Sequence, residues 1–240
     1  MLDTLLFTVL PYLALFVVIF GTIYRYRTKG FSVSSLSSEF LEGNKLFLCS
    51  KQFHCGLMFL FFGHLIAFLI PGSVLAWNSE PLRLMILEVS GFVFGLAVLV
   101  GLIALIYRRI TTDRIREVTS KMDVALYLVL LLQVVTGLLI AYGERWGSSW
   151  FAAVLTPYLW SVLEFRPDIT AVSAMPWTIK THIAGGYLLI LIIPFTRLMQ
   201  MLDYPLHYIR RPYQVVMWYW NRKTIRNPDT SRRKVKPTNN

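Results

Sequence analysis

Four histidines are the side chains of this 240-residue chain best suited to metal chemistry. His54 and His64 lie in one long apolar stretch, His182 lies in another, and His207 follows the second. Ionisable side chains inside membrane segments are costly and are functional candidates by default. A lone histidine in such a place is more often a satisfied polar group. Three histidines on two apolar segments instead predict ligation of a metal or of a haem iron, because neutral imidazole is the commonest metal ligand in proteins.

The stretches that hold these histidines belong to a chain built of apolar blocks. Hydrophobic residues make up 55% of the chain and charged residues 15%, against roughly 25% charge in an average soluble domain. Apolar blocks of about 20 residues match the thickness of a bilayer core. The sequence therefore predicts an all-α, integral membrane five-helix bundle, and it excludes a soluble enzyme, a disordered chain and a disulfide scaffold. The five predicted spans are roughly Leu5–Ile23, Leu46–Pro71, Met85–Tyr107, Val124–Tyr142 and Thr178–Gln200.

The net charge of +11 is distributed unevenly across the predicted membrane. Of the 24 lysines and arginines, 20 fall on the C-terminal side; the other four are Arg83, Arg145, Arg166 and Lys180. Cytoplasmic loops carry the excess of positive residues, so we expect the N-terminus outside and the C-terminus in the cytoplasm. We therefore expect a multi-pass protein of the inner (cytoplasmic) cell membrane. Because the topology explains the positive charge, we expect no nucleic-acid partner.

The ends and connections of the spans complete the predicted topology. No positive side chain precedes the first span and Arg25 and Arg27 follow it, the reverse of a secretory signal, so we expect a retained helix. We expect Gly72–Leu84 to be a short outer loop. Within the longer outer stretch, the apolar run Trp150–Phe165 is too short to span and is expected at or just under the outer surface.

Helix geometry sharpens the prediction for the histidines. His54 and His64 are ten residues apart, which is about 15 Å along a helix. The second span runs outward and the fifth runs inward, so His64 and His182 can face one another near the outer surface. Two imidazoles on opposite faces of a porphyrin would give an electron-transfer haem. Glycines on these spans either leave room for a macrocycle or pack helices closely, and the sequence leaves both open: Gly56, Gly63, Gly185 and Gly186.

His54 would need a partner near the cytoplasmic end of the fifth span. The position 18 residues beyond His182 is five helical turns further on, on the same face and about 27 Å deeper. That position is Gln200, which is not a histidine. The residues alone therefore predict one complete pair of haem ligands and leave the second incomplete.

At this point the sequence resembles the gamma subunit of respiratory nitrate reductase, a five-helix dihaem cytochrome b. The resemblance covers nearly the whole chain and is carried by Phe53-His54 through Gly63-His64, Tyr107-Arg108-Arg109, the Lys121–Gly137 run with Gln133, and His182 through Pro194-Phe195-Thr196-Arg197-Leu198. It implies that quinol is oxidised near the outer face. Electrons would then pass through two haems b to a cytoplasmic iron–sulfur subunit and on to a molybdenum subunit. The implied partners are these subunits, quinol or quinone, and membrane lipid.

The resemblance also assigns ligands. It implies that His64 and His182 hold the outer haem and that His54 is one ligand of the inner haem, while Gln200 stands where the family has the fourth ligand. Four arrangements stay open there. A methionine ligates the iron (Met199 or Met201), His207 reaches back, the iron is five-coordinate beside Gln200, or the inner haem is absent. We expect two haems b, with altered ligation at the inner one.

The expected quinol site lies beside the outer haem, at Gly63 and His64. The family uses a lysine from the start of the third span there; in this chain Arg83 is the nearest cation. Arginine would still donate hydrogen bonds to a quinol oxygen, although Arg83 could equally be an interface anchor. Glu88, the one acid within a predicted span, is expected to be a solvated interface carboxylate, with a quinol-proton acceptor as the alternative.

The predicted organisation is a five-span haem-binding domain over residues 1–203 and a basic cytoplasmic tail over residues 204–240 that docks a partner. The predicted activity is that of a quinol-oxidising subunit of an oxidoreductase complex, which does not itself reduce nitrate. One alternative is a related cytochrome b that feeds a different cytoplasmic iron–sulfur oxidoreductase, of the heterodisulfide- or sulfite-reduction type. Another is a haem-free scaffold or transporter, disfavoured because the chain has no internal repeat.

Overall fold

The computed structural model of the chain describes residues 1–29 and 46–199, and every regular element there is helical. Five helices are long and apolar enough to cross a membrane, as predicted. They are named here span 1 (Leu2–Thr28), span 2 (Leu46–Leu69), span 3 (Pro81–Thr111), span 4 (Lys121–Gly143) and span 5 (Trp177–Ile192). Residues 30–45 of the first connection, the candidate ligands Gln200, Met201 and His207, and the tail over residues 204–240 lie outside the described residues.

Local sequence signals set the ends of the spans. Span 3 begins with Pro81 directly after Glu80, whose backbone is extended; proline suits this position because it lacks the N–H that a first helical turn leaves unpaired. Span 4 begins with a capping box, in which the Ser120 hydroxyl accepts from Asp123 N and the Asp123 carboxylate accepts from Ser120 N. The predicted outer loop at residues 72–84 is wrong in part, because Pro71 starts a short helix, Pro71–Asn78.

The spans pack side by side in the order 2, 3, 4, 5, 1. Spans 1 and 5 are parallel, because ion pairs and hydrogen bonds join their corresponding ends. Lys180 Nζ lies 3.0 Å from Asp3 Oδ2 at one end, and Arg25 Nη1 donates to Pro194 O and Thr196 O at the other. We call these the Asp3 end and the Arg25 end of the bundle; the charge distribution predicts that the Asp3 end faces outward.

The connection between spans 4 and 5 is largely helical and forms part of the core. It contains Gly147–Trp150, a π-helical turn at Phe151–Leu155, and Thr156–Leu163. Leu155, Tyr158 and Val162 are buried in one cluster with residues of spans 1 and 5. Because the connection packs into the bundle, the expectation that it lies at or just under the outer surface describes it only in part.

Hydrogen bonds to backbone carbonyls fasten this connection to two spans. Tyr158 Oη donates to Phe7 O at 2.8 Å and Thr156 Oγ1 donates to Ala67 O at 3.2 Å. Burial raises the pKa of Tyr158 above its ordinary value, and the neighbouring Tyr187 adds to the effect, so the phenol remains a neutral donor. Phe7 lies within the π-helical turn Leu5–Val9, where the regular hydrogen-bond ladder of span 1 changes.

Span 5 is shorter than its apolar pattern indicates. Its α-helix ends at Ile192 and a 3-10 turn follows at Ile193–Phe195, with Pro194 inside it. Proline removes a backbone donor and cannot continue an α-helix without a kink. The predicted fifth span therefore ends as a regular α-helix at Ile192, and the count of five regular turns from His182 does not hold through Ile193–Phe195.

Candidate functional site

Spans 2 and 5 position the three predicted ligands in the described part of the chain. His54 and His64 on span 2 are both exposed, and His182 on span 5 is half-buried. The edge of the His64 ring meets the Phe151 ring, with 5.3 Å between centroids. Phe151 in turn packs against the buried cluster that contains Ile183, the residue after His182, although spans 3 and 4 lie between spans 2 and 5 in the packing order.

The two histidines of span 2 are oriented by their own helix. His64 Nδ1 lies 2.7 Å from Leu60 O, and His54 Nδ1 lies 2.7 Å from Ser50 O. A backbone carbonyl only accepts hydrogen bonds, so the proton of each neutral ring resides on Nδ1. The lone pair of each Nε2 is then free. This is the tautomer that a metal-ligating histidine adopts when its other nitrogen donates to a carbonyl.

His182 is oriented by a neighbouring helix instead. Its Nδ1 lies 3.1 Å from Thr136 Oγ1, and its Nε2 lies 3.2 Å from Gln133 Nε2. Because the Gln133 amide nitrogen can only donate, His182 Nε2 is the acceptor and Nδ1 carries the proton. The lone pair of each of the three rings is therefore on Nε2, and that of His182 accepts from Gln133.

The glycines of span 2 differ in their surroundings. A Cβ added to Gly56 would lie 2.6 Å from Val98 Cγ2 and 2.8 Å from Phe94 O, whereas one added to Gly63 would meet nothing within 4 Å. Gly56 is thus a packing glycine that allows spans 2 and 3 to approach. Gly63 adjoins His64 and borders open space, which a flat ligand could use.

Two glycines pack closely against His182 and against its neighbour Gln133. A Cβ on Gly137 would lie 3.0 Å from His182 Cε1, and one on Gly185 would lie 2.5 Å from Gln133 Oε1. That amide oxygen is buried and has no hydrogen-bond partner among the described residues. It faces the backbone of span 5 at Gly185, and only a glycine there leaves room for it.

Within residues 1–29 and 46–199, histidine, cysteine and acidic side chains form no group of three or more that could hold a metal ion. A haem would need only one or two ligands from the protein, because its macrocycle supplies the other donors.

Arg83 and Glu88 occupy the Asp3 end near the start of span 3. The Arg83 guanidinium lies over the Trp77 ring, 5.2 Å from its centroid, and no contact among the described residues joins it to Gly63 or His64. Glu88 Oε1 accepts hydrogen bonds from Ser148 N at 2.9 Å and from Ser148 Oγ at 2.7 Å. The Glu88 carboxylate therefore holds the start of the connection between spans 4 and 5, a role its sequence position did not indicate.

At the Arg25 end, the buried carboxylate of Asp123 forms an ion pair with the segment that follows span 5. Asp123 is 3% exposed; its Oδ1 lies 3.0 Å from Arg197 Nε and its Oδ2 lies 3.5 Å from Arg109 Nη1. Arg197 also donates to Val118 O at 2.9 Å. Met199, one of the predicted candidates for the fourth ligand position, is buried at 2% exposure close to this cluster in sequence.

Sequence reasoning singled out neither Thr136 nor Gln133 as a partner of His182. The available signal was that both are polar, lie three residues apart and interrupt an otherwise apolar run. Residues three apart share a helix face. Nothing in that spacing indicates which neighbouring helix the face meets.

Comparison with known proteins gives a consistent set of relatives. The family model described as nitrate reductase gamma subunit matches residues 3–219. The nitrate reductase gamma chain of Bacillus subtilis (strain 168) is 34% identical over 214 residues, 88% of this chain and 96% of the relative. The respiratory nitrate reductase 2 gamma chain of Escherichia coli (strain K12) is 28% identical over 221 residues, 90% of this chain and 96% of the relative. The nitrate reductase-like protein NarX of Mycobacterium tuberculosis (strain CDC 1551 / Oshkosh) is 33% identical over 226 residues, 89% of this chain and 33% of that longer protein.

Proposed function

Since the chain belongs to the nitrate reductase gamma subunit family, we propose that it oxidises quinol and passes the electrons through haem b to a cytoplasmic iron–sulfur subunit. As a member of that family with five membrane-spanning helices, it is a multi-pass cell-membrane protein and a subunit of an oxidoreductase complex. Nitrate reduction itself belongs to a molybdenum subunit in this proposal. The relatives' names favour a nitrate reductase over the heterodisulfide- and sulfite-reduction alternatives.

The observation that carries the proposal is the orientation of His64 and His182. Nδ1 of each ring donates to a fixed acceptor, Leu60 O or Thr136 Oγ1, so the lone pair is on Nε2, the atom that would bind iron. The two residues come from different helices, and Phe151, which contacts the His64 ring, packs against the buried cluster that contains Ile183, the residue after His182. We therefore assign His64 and His182 as the residues that would hold an outer haem b, which would supply one-electron transfer.

Two further features support the fit of a macrocycle. Gly63 beside His64 borders open space, and the Gln133 amide next to His182 has an unsatisfied buried oxygen. The Gln133 N–H that now contacts His182 Nε2 would have to release it for that nitrogen to act as a ligand. A long amide side chain has the rotatable bonds to do so.

For the inner haem, only some of the candidate ligands lie in the described part of the chain. His54 presents its Nε2 in the same way as His64, so it supplies one ligand. Gln200 and His207 lie outside the described residues, while Met199 is within them and buried. We propose that two haems b are bound, with the fourth ligand drawn from the segment that begins at Met199.

The quinol site is proposed at the Asp3 end, around Gly63 and His64, with Arg83 as the cation that binds a quinol oxygen. Arg83, at the start of span 3, is exposed, and its guanidinium lies over the Trp77 ring. Its fixed charge is therefore available to a ligand that enters from the membrane. Releasing quinol protons outside while electrons move inward would add about 2.3 kcal/mol per charge for each 100 mV of potential. The basic tail over residues 204–240 is proposed to dock the iron–sulfur subunit.

The test is quinol-driven nitrate reduction by the purified complex, compared for the wild-type protein and His64→Ala and His182→Ala variants. Turnover should fall by more than about a hundredfold, because even partners outside the ligand shell can cost that much. A reduced dye that donates directly to the catalytic subunits provides the control and should support normal nitrate reduction. Full quinol turnover in either variant would contradict the ligand assignment.

A further inference from the structure

We propose that Thr136 is a positioning residue for the outer haem, because it sets the orientation and the electron density of the His182 ring from a neighbouring helix. This inference rests on the proposed function, since it concerns the same haem. It gives a residue of span 4 a role in a site whose proposed ligands come from spans 2 and 5. It also states that one hydroxyl group, that of Thr136, influences the reduction potential of this haem.

The first observation is a directed chain of hydrogen bonds. Thr136 Oγ1 donates to Leu132 O at 2.7 Å, and the same oxygen lies 3.1 Å from His182 Nδ1. A hydroxyl has one proton to donate and two lone pairs. Because the proton is used on Leu132 O, the hydroxyl accepts from His182 Nδ1–H. Thr136 is 7% exposed, so water does not compete freely for this bond.

The second observation is a contrast among the histidines. His54 and His64 bond to carbonyls one turn back on their own helix, Ser50 O and Leu60 O. His182 bonds instead to Thr136, 46 positions away in sequence. Its ring orientation therefore depends on the packing of span 4 against span 5.

The third observation is the shape of the surface under the ring. Gly137 follows Thr136, and a Cβ there would stand 3.0 Å from His182 Cε1. Real Cβ atoms rarely approach so closely, which means that the ring rests directly against the backbone of span 4. One helix turn thus supplies both the surface on which the ring rests and the hydrogen bond that orients it.

The chemical consequence follows from second-shell effects on ligands. A histidine that donates its Nδ1–H becomes a more basic ligand through Nε2. A more basic ligand stabilises the oxidised iron and lowers the reduction potential, one of the ways in which proteins tune haem. Removing the acceptor at Thr136 should therefore raise the potential of the outer haem.

The experiment is an optical redox titration of the purified protein carrying Thr136→Val or Thr136→Ser. The outer haem is identified as the component absent from His182→Ala. Thr136→Val keeps the size and branching of the side chain but lacks the acceptor, so this component should titrate at a higher midpoint potential. Thr136→Ser retains the hydroxyl and should titrate as wild type. Thr136→Ala removes the hydroxyl without adding bulk and serves in its place if the valine variant is not recovered.

Thr181→Val is the matched control. Thr181 precedes His182, but its hydroxyl donates to Trp177 O at 2.7 Å, so the outer haem of this variant should titrate as wild type. Loss of the outer haem from Thr136→Val, with retention in Thr136→Ser, would support the same role. Equal potentials in the valine and serine variants would overturn it while leaving the proposed function intact. Absence of haem from the wild-type protein would overturn both.

Discussion

At the scale of single residues, two glycines on one helix have different roles. Gly56 and Gly63 are seven residues apart and so lie nearly on the same face of span 2. Only Gly56 is enclosed, by Val98 and Phe94 of span 3, while the space at Gly63 is open. The sequence permitted either helix packing or room for a cofactor at both positions, and the structure separates them.

This difference predicts opposite outcomes for two small substitutions. Gly56→Ala should destabilise the protein by about 1–3 kcal/mol, the usual cost of inserting a methyl group into a packed contact, because its neighbours include the backbone oxygen of Phe94. Gly63→Ala should leave the thermal transition of the protein in detergent unchanged. A lower transition for Gly63→Ala than for Gly56→Ala would show that the packing is assigned to the wrong glycine.

Part of the candidate site could be predicted from the sequence. The three histidines were identifiable because imidazole is rare and costly in apolar segments, and because helix geometry gives their depth. Their partners Gln133 and Thr136 were not, because a hydrogen bond between helices depends on how the helices are rotated about their axes. The role of Glu88 was missed for the same reason, since Ser148 is 60 positions away in sequence.

At the scale of elements, Asp123 links three parts of the Arg25 end. It caps span 4, pairs with Arg109 of span 3, and pairs with Arg197 beyond span 5. Its side chain is 4% exposed, so a change there acts on a buried charge. The carboxylate thereby holds Arg197, in the segment that leads towards the proposed fourth ligand position.

Asp123→Asn should therefore destabilise the fold by about 3 kcal/mol, the lower end of the cost of breaking a buried ion pair. The matched control is Asp113→Asn, which removes a carboxylate paired with Arg116 at 85% and 63% side-chain exposure. Exposed pairs contribute about 0–1 kcal/mol, so this control should melt as wild type. Thermal unfolding in detergent measures both, and equal effects would contradict the central role of Asp123.

Element prediction was reliable for the spans and poorer for what joins and ends them. Apolar length alone indicates a membrane helix, so all five were found. The helical connection between spans 4 and 5 was not predicted to enter the core, because its burial depends on hydrogen bonds to distant carbonyls such as Phe7 O and Ala67 O. The early end of span 5 follows from Pro194, whose effect a count of apolar residues does not register.

At the scale of the whole molecule, the two ends of the bundle differ. The Asp3 end holds His64, His182 and the packed connection, and the Arg25 end holds the Asp123 cluster. The charge distribution predicts that the Asp3 end faces outward. Electrons from quinol would then cross the bundle towards the cytoplasmic subunits.

The most direct test of haem binding is the number of haems b bound per purified polypeptide, measured by pyridine haemochrome with the reduced spectrum alongside. We expect two for the wild-type protein and loss of one in His64→Ala and in His182→Ala. One haem in the wild-type protein would contradict the inner site at His54. No haem after purification of folded protein would contradict the central claim that this chain is a cytochrome b.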